Sequence, residues 1–254
     1  MRHGVVRMIV LFTDFGLEGP YVGQVKAVLC QDAPGQPVID LFADAPAFRP
    51  REAAYLLAAY VEHFPPGSVF LCVVDPGVGG ERPAVATEID GRWFVGPGNG
   101  LFEILARRAT VMRGYAIVPP EKPISASFHG RDLFAPVAAR LAMHADPLQA
   151  GLTPVPLPRR PDWPDDLSSV VYVDRFGNLL TGLRAKTLSP EAVLEVSGRR
   201  LIRARTFCDM PTGEAFWYEN ANGLAEMAVN QGRADMVLGA GVGAPVVVRQ
   251  INGA

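Results

Sequence analysis

The chain has 254 residues, 49% of them hydrophobic, and its 24 basic and 26 acidic side chains give a net charge of −2. That balance excludes a nucleic-acid binder working through a basic face, and it excludes disorder, which needs low hydrophobicity and high net charge. The length suits one large or two modest domains.

Val5–Phe12 is a short apolar run closed by Thr13-Asp14-Phe15-Gly16, which predicts a buried parallel strand ending in a turn. Tyr21–Gln31 carries apolar residues at helical spacing, and Val38–Ala43 reads as a second strand. Arg49–His63 reads as an amphipathic helix, stopped by Pro65-Pro66-Gly67. Ser68–Val74 is the most hydrophobic strand and ends at Asp75. Within Ala84–Val95, Asp90-Gly91 predicts a hairpin turn. Leu101–Arg108 and Arg131–His144 read as helices. Such alternation implies a layered, Rossmann-like α/β domain over residues 1–153.

Five prolines from Pro154 to Pro164 predict a stiff, extended linker over 154–166, with the domain boundary inside it. Short strands follow at Val170–Val173, Leu179–Leu183, Val193–Val196, Arg200–Arg203, Ala215–Tyr218, Leu224–Val229 and Pro245–Ile251. They predict a smaller antiparallel β-barrel or sandwich over residues 167–254.

Cys30, Cys72 and Cys208 form no CxxC pair, which excludes a zinc knuckle, and an odd, sparse count suits a reducing compartment. His3, His63, His129 and His144 show no HExxH spacing. The N-terminal apolar run is short for a signal peptide, and no run of about 18 apolar residues occurs, so a soluble cytoplasmic protein is expected.

Four clusters are candidates for chemistry. Asp14 follows a buried strand, where open α/β sheets bind ligands; its carboxylate either takes both hydroxyls of a ribose or caps the next turn. Asp75-Pro76-Gly77-Val78-Gly79-Gly80-Glu81-Arg82 again starts at a strand end, and its glycines let backbone approach a ligand. Arg82 returns to pair with Asp75, either at a ligand or as a brace for the loop. Ser125-Ala126-Ser127-Phe128-His129-Gly130-Arg131-Asp132 puts His129 at the start of a helix, whose positive pole favours a neutral imidazole. Arg131 and Asp132 alternatively pair and cap that helix. Asp174-Arg175-Phe176-Gly177-Asn178 offers a ring and an amide suited to a nucleobase, or forms an ordinary hairpin turn. The glycine runs at 96–100 and 239–243 do not match GxGxxG, and GxSxG and Walker loops are absent.

Taken in order along nearly the whole chain, TDFG, VVDPGVG with Arg82, GNGLF, SxSFHGRDLFAP, DRFGN and NxNG resemble the S-adenosyl-L-methionine (SAM) hydroxide adenosyltransferase family. These are adenosine-forming SAM hydrolases, relatives of the fluorinase and chlorinase. The resemblance implies a homotrimer with SAM between one subunit's N-terminal α/β domain and a neighbour's C-terminal β-barrel. It implies that Asp14 holds the ribose hydroxyls and that Asp75, Arg82 and His129 bind and activate the attacking water. Asp174 would hold the methionine ammonium, and Phe176 and Asn178 would contact the adenine side. Ser127 belongs to the implied substrate-binding set. Ala221 stands where the family often carries a serine for the methionine carboxylate, so Asn222 or backbone groups would replace it. In the halogenases a Tyr-Ser pair replaces His129-Gly130, so this pair implies water as nucleophile.

The implied reaction is in-line attack of water on ribose C5′, with neutral methionine leaving. A thioether needs no proton, and hydroxide meeting a sulfonium cancels charge, which a water-poor pocket favours. Orientation contributes ~7–11 kcal/mol and proton transfer to a positioned group ~10²–10⁴-fold. SAM is then a substrate, and no metal, cofactor, nucleic acid or membrane is implied. A non-catalytic SAM- or adenosine-binding protein and a SAM-dependent halogenase are the alternatives, and the residue that accepts the proton stays open.

Overall fold

The computed structural model describes residues 7–143 and 146–249. The first residues of the Val5–Phe12 run, the ends of the segments expected to reach His144 and Ile251, and His3 lie outside the described residues. The chain divides into two compact units. One takes in the chain up to Ala54 together with Glu62–Arg160; the other takes in Tyr55–Val61 and the chain from Pro161 on.

The first unit holds a seven-stranded sheet of β1 (Ile9–Thr13), β2 (Val38–Phe42), β3 (Val69–Val73), β4 (Ala84–Ile89), β5 (Arg92–Pro97), β6 (Met112–Ile117) and β7 (Leu152–Pro154), in the order β2-β1-β3-β5-β4-β6-β7. Strands β2, β1, β3 and β5 are parallel, and β4, β6 and β7 add antiparallel ladders. Every residue of β1 and β3 is buried, which is why both read as unbroken apolar runs. Val25 and Leu29 of α1 (Tyr21–Asp32) and Val137 and Leu141 of α4 (Ala135–Ala142) share one core with Leu11, Leu71 and Val95. Burying each such side chain contributes roughly 1.5–3 kcal/mol. Because β2 and β3 flank β1 on opposite sides, the strand order reverses there, at the position where open α/β sheets form a ligand crevice.

The hairpin expected at Asp90-Gly91 forms, with φ of 45° and 78° at the two residues, as a two-residue primed turn needs. The helix expected over Arg49–His63 is α2 (Pro50–Tyr60) followed by a 3-10 turn, Val61–His63. Strands β6 and β7 are additions to the expected set. Arg113 and Gly114 interrupt the apolar alternation of β6, and β7 is an edge strand, where Pro154 is tolerated. The helix expected from Arg131 opens as a π turn, Gly130–Phe134, in which the Ala135 N–H donates to the Gly130 carbonyl. Pro136 has no N–H with which to continue an α pattern at that point.

The segment after β7 is tied down at α3 (Glu103–Arg108). Glu103 Oε2 accepts from Arg159 Nε and from the Arg160 N–H, both at 2.9 Å, and Oε1 accepts from Arg107 at 3.0 Å.

The second unit contains β8 (Leu167–Val173), β9 (Leu179–Arg184), β10 (Val193–Val196), β11 (Arg199–Leu201), β12 (Ala215–Glu219), β13 (Leu224–Val229) and β14 (Val247–Arg249), with a short helix α5 (Ala234–Leu238). Two antiparallel sheets form, β12-β13-β9-β8 and β11-β10-β14. Single bridges join their edges, Ser169 to Pro245 antiparallel and Arg203 to Trp217 parallel. The two sheets thereby close into a seven-strand barrel around Val170, Leu194, Trp217 and Met227. Among the described residues, no helix is long and apolar enough to cross a membrane.

Candidate active site

Asp14 and Asp75 leave the C-terminal ends of β1 and β3, neighbouring parallel strands with Thr13 opposite Val73. The Asp14 N–H donates to the Val73 carbonyl at 3.2 Å. Both carboxylates therefore start from the same edge of the sheet. Burial raises the Asp14 pKa above its usual 3.8; the Phe48 N–H on its carboxylate opposes this and the charge of Asp75 adds to it.

Arg82 folds back on Asp75, Nε donating to Oδ1 at 3.1 Å and to Oδ2 at 2.9 Å, and Nη2 to Oδ2 at 2.5 Å. The Asp75 side chain is almost wholly buried in this pair. Gly79 allows the glycine loop to press on the histidine loop: at its φ of 79°, an added Cβ would lie 2.6 Å from the Ala126 carbonyl oxygen. Arg82 Nη2 lies 2.9 Å from His129 Nδ1. A guanidinium only donates, so Nδ1 must be the bare, accepting nitrogen and the imidazole is neutral with its proton on Nε2. Burial lowers the His129 pKa below 6.5, the charge of Arg82 lowers it further, and Asp75 and Asp132 oppose them. His129 also stands at the N-cap of the Gly130–Phe134 turn, where the sequence places it beside a helix pole.

Arg131 and Asp132 take the structural alternative. Arg131 donates to Asp132 at 2.5 and 2.9 Å, and Asp132 also accepts the Ser125 N–H at 2.9 Å. Ser127 is exposed on the same loop and bonds weakly to Ser125 Oγ at 3.4 Å. Phe15, Tyr21 and Phe128 pack edge to face or tilted beside it, and an added Cβ at Gly130 would come 2.9 Å from the Phe15 ring.

In the second unit the 174–178 turn forms as a tight, self-bonded hairpin. Asp174 Oδ1 accepts the N–H groups of Phe176 (2.9 Å) and Asn178 (2.8 Å), and Oδ2 accepts Asn178 Nδ2 at 3.0 Å. Phe176 is 72% exposed, whereas Asn178 is buried. The pKa of the Tyr60 hydroxyl is pushed up to about 12 by burial and then by the charges of Glu226 and Asp174, with the Asn222 side chain opposing them.

The structure thus gathers Asp14, Asp75, Arg82 and His129 in the first unit, with Ser127 on the His129 loop. In the second unit it groups Asp174, Phe176 and Asn178 in one turn, with Asn222 nearby. Phe48, not among the residues singled out from the sequence, is 77% exposed, donates its N–H to Asp14 at 3.4 Å and sits at a φ of 61°. A bulky residue held in that region marks local strain, a signal absent from the sequence.

Residues 9–151 match the SAM hydroxide adenosyltransferase N-terminal domain, and residues 168–247 match the C-terminal domain. A Thermus thermophilus protein named (R)-S-adenosyl-L-methionine hydrolase is 43% identical, over 95% of this chain and 99% of its own. A Salinispora arenicola protein of the same name is 39% identical, over 87% of this chain and 90% of its own. Among solved structures, an uncharacterized conserved protein from Thermotoga maritima has a TM-score of 0.86 and 31% identity, covering 95% of this chain and all 100% of that one. A conserved hypothetical protein from Thermus thermophilus has a TM-score of 0.75 and 40% identity, covering 96% and 100%.

Proposed function

This chain belongs to the SAM hydroxide adenosyltransferase family and is a SAM hydrolase, and on that premise we propose how its residues divide the reaction. The observation that carries the proposal is the Asp75–Arg82–His129 chain of hydrogen bonds. The substrate is the (R) epimer of SAM, as the relatives' name specifies, and the products are adenosine and L-methionine. Asp14 holds the ribose hydroxyls with Phe48 beside them. On the second unit, Asp174 offers the methionine ammonium a remaining lone pair on Oδ2, Phe176 and Asn178 take the adenine, and Asn222 meets the carboxylate. Ser127 lines the substrate.

His129 orients the attacking water by donating from Nε2–H, because the only lone pair on its ring is taken by Arg82. Arg82 stabilises the developing hydroxide. The C5′–O bond forms as the C5′–S bond breaks, and the electron pair stays on sulfur. One water proton is released to the Asp75 carboxylate and from there to solvent. The other stays on the new 5′-hydroxyl. No cofactor takes part. A serine at 130, as in the halogenases, would press on Phe15, which supports water over halide.

The protein works in the cytoplasm as a homotrimer, with each site made of one subunit's N-terminal α/β domain (1–153) and a neighbour's C-terminal barrel (167–254), joined by the 154–166 linker. Support comes from exposed apolar side chains beside each group of residues, Leu17 and Phe48 near Asp14 and Phe176, Met236 and Val237 near Asp174.

The test is to incubate the protein with each sulfonium epimer of SAM in ¹⁸O-water, with and without chloride. Equimolar adenosine and methionine, with ¹⁸O in the 5′-hydroxyl and from one epimer only, is the expected result. A 5′-chloro product, or binding with no turnover, overturns it. Light scattering should give the mass of three chains, and a monomer that turns over SAM would sink the shared site.

A further inference from the structure

Asn220 and Glu226 are both buried, and none of the roles above uses either. Glu226 stands in the middle of β13, between Ala225 and Met227 of the barrel core, so its side chain leaves by the other face, opposite Tyr218 in the β12–β13 ladder. Its Oε1 accepts from the Tyr218 hydroxyl at 2.6 Å, and its Oε2 accepts from Asn220 Nδ2 at 2.9 Å. With its nitrogen committed to Glu226, Asn220 turns its Oδ1 the other way, where it accepts the N–H groups of Asn222 (2.9 Å) and Leu224 (3.0 Å). The opposite amide orientation would set a donor against two N–H groups and an oxygen against a carboxylate, so one orientation fits.

The backbone of the same turn closes on itself. The Asn220 N–H donates to the Leu224 carbonyl at 2.9 Å, and the Gly223 N–H donates to the Asn220 carbonyl at 3.0 Å. Four N–H groups of the turn, those of Asn220, Asn222, Gly223 and Leu224, are therefore spent within it. The donors not spent there are the Ala221 N–H and the Asn222 side-chain amide, at the tip where Ala221 is exposed. With no hydroxyl at Ala221, the grip on a carboxylate depends on how firmly the turn presents these two. We infer that Asn220 and Glu226 are a pair of positioning residues that hold this turn in place for the carboxylate at the amino-acid end of the substrate, and so set affinity for that end and not for the nucleoside. The inference rests on the reading of Asn222 as the carboxylate contact.

The experiment compares wild type with Glu226→Leu, Glu226→Gln and Asn222→Ala. Leucine removes the acceptor and leaves Asn220 Nδ2 buried and unpaired; glutamine keeps an oxygen for Asn220, and its amide can donate to the Tyr218 hydroxyl. Measured are kcat and KM for SAM, and the Kd of adenosine by calorimetry. In E226L, KM for SAM should rise about tenfold with kcat within about threefold and the adenosine Kd within about twofold. In E226Q, KM should stay within about twofold of wild type, and in N222A it should rise about tenfold. A folded E226L with wild-type KM, beside an N222A whose KM rises, overturns the inference alone. An equal loss of adenosine affinity in E226L also overturns it, as does an E226Q as impaired as E226L. An N222A with wild-type KM defeats the reading of Asn222 and the inference with it. If E226L does not fold, Asn220→Ala takes its place with the same expected rise, and an unchanged KM there overturns the proposal. A protein that binds SAM without turning it over defeats the hydrolase reading alone, and the Kd of SAM then replaces KM in each comparison.

Discussion

An arginine cannot accept a hydrogen bond, so the 2.9 Å contact between Arg82 Nη2 and His129 Nδ1 decides what the histidine can do. A histidine whose one lone pair is occupied donates; it does not take the proton from water. A glutamine can reproduce both halves of that role, an oxygen toward Arg82 and an N–H toward water. His129→Gln is therefore expected to keep kcat within about tenfold of wild type, while His129→Ala loses more. A general base replaced by an amide would instead cost ~10²–10⁴-fold, and a loss of that size in H129Q would show that His129 is the base. The pH profile supplies an independent reading. Burial and Arg82 hold the neutral imidazole, so wild-type activity should fall only as pH drops below 6.5 and His129 protonates, breaking the Arg82 contact. In H129Q that acid limb should vanish, leaving the lower one due to carboxylates. His129 was legible in the sequence from its dense polar surroundings; its tautomer was not, because Arg82 lies 47 positions away.

At the scale of elements, Asp14 and Asp75 were readable because each ends a fully buried strand, and only adjacency in the sheet makes them neighbours. The π turn after His129 was hidden, since the sequence Gly-Arg-Asp-Leu-Phe-Ala-Pro does not mark that the Ala135 N–H bonds back five residues to the Gly130 carbonyl. Glu103 was hidden too. It looks like any acidic residue in the first turn of a helix, yet its side chain is 1% exposed and holds Arg107, Arg159 and the Arg160 N–H. Burial raises its pKa, but the bonds from Arg159, the Arg160 N–H and Arg107 outweigh burial and leave it below 4.5. Its contribution to stability is therefore present above pH 4.5 and lost as pH falls through the lower folded value. Glu103→Ala is expected to cost about 2–3 kcal/mol, less than a fully buried pair because Arg159 is partly solvated. Urea unfolding at pH 7 and at pH 3 tests this: the difference between variant and wild type should shrink at the lower pH, and an equal difference at both would count against the ion-pair account.

The whole molecule puts a sheet of mixed direction in one unit and a closed ring of strands in the other. Most barrel strands were legible because they are short apolar runs between turn residues, and β11, Arg-Arg-Leu, through the Ser197-Gly198 turn before it; the closure was not, since it rests on pairings far apart in sequence. Ser169 meets Pro245 and Arg203 meets Trp217, and around these bridges only a few backbone bonds span each join, among them Val246 to Ser168 at 2.9 Å and Ala204 to Trp217 at 2.9 Å. The β9–β13 ladder lies inside a sheet and is flanked by partners on both sides. The ring therefore has two latches. It should breathe at them first, and amides of Val246, Val170 and Ala204 should exchange with deuterium before those of β9 and β13. A ring with its latches open is a curved sheet with two bare borders, and such a border is satisfied equally well by its own far end or by the same strand of another copy. Crowded, warmed protein would then trade strands between copies, and what serves as closure in one chain would become the link in a chain-exchanged pair.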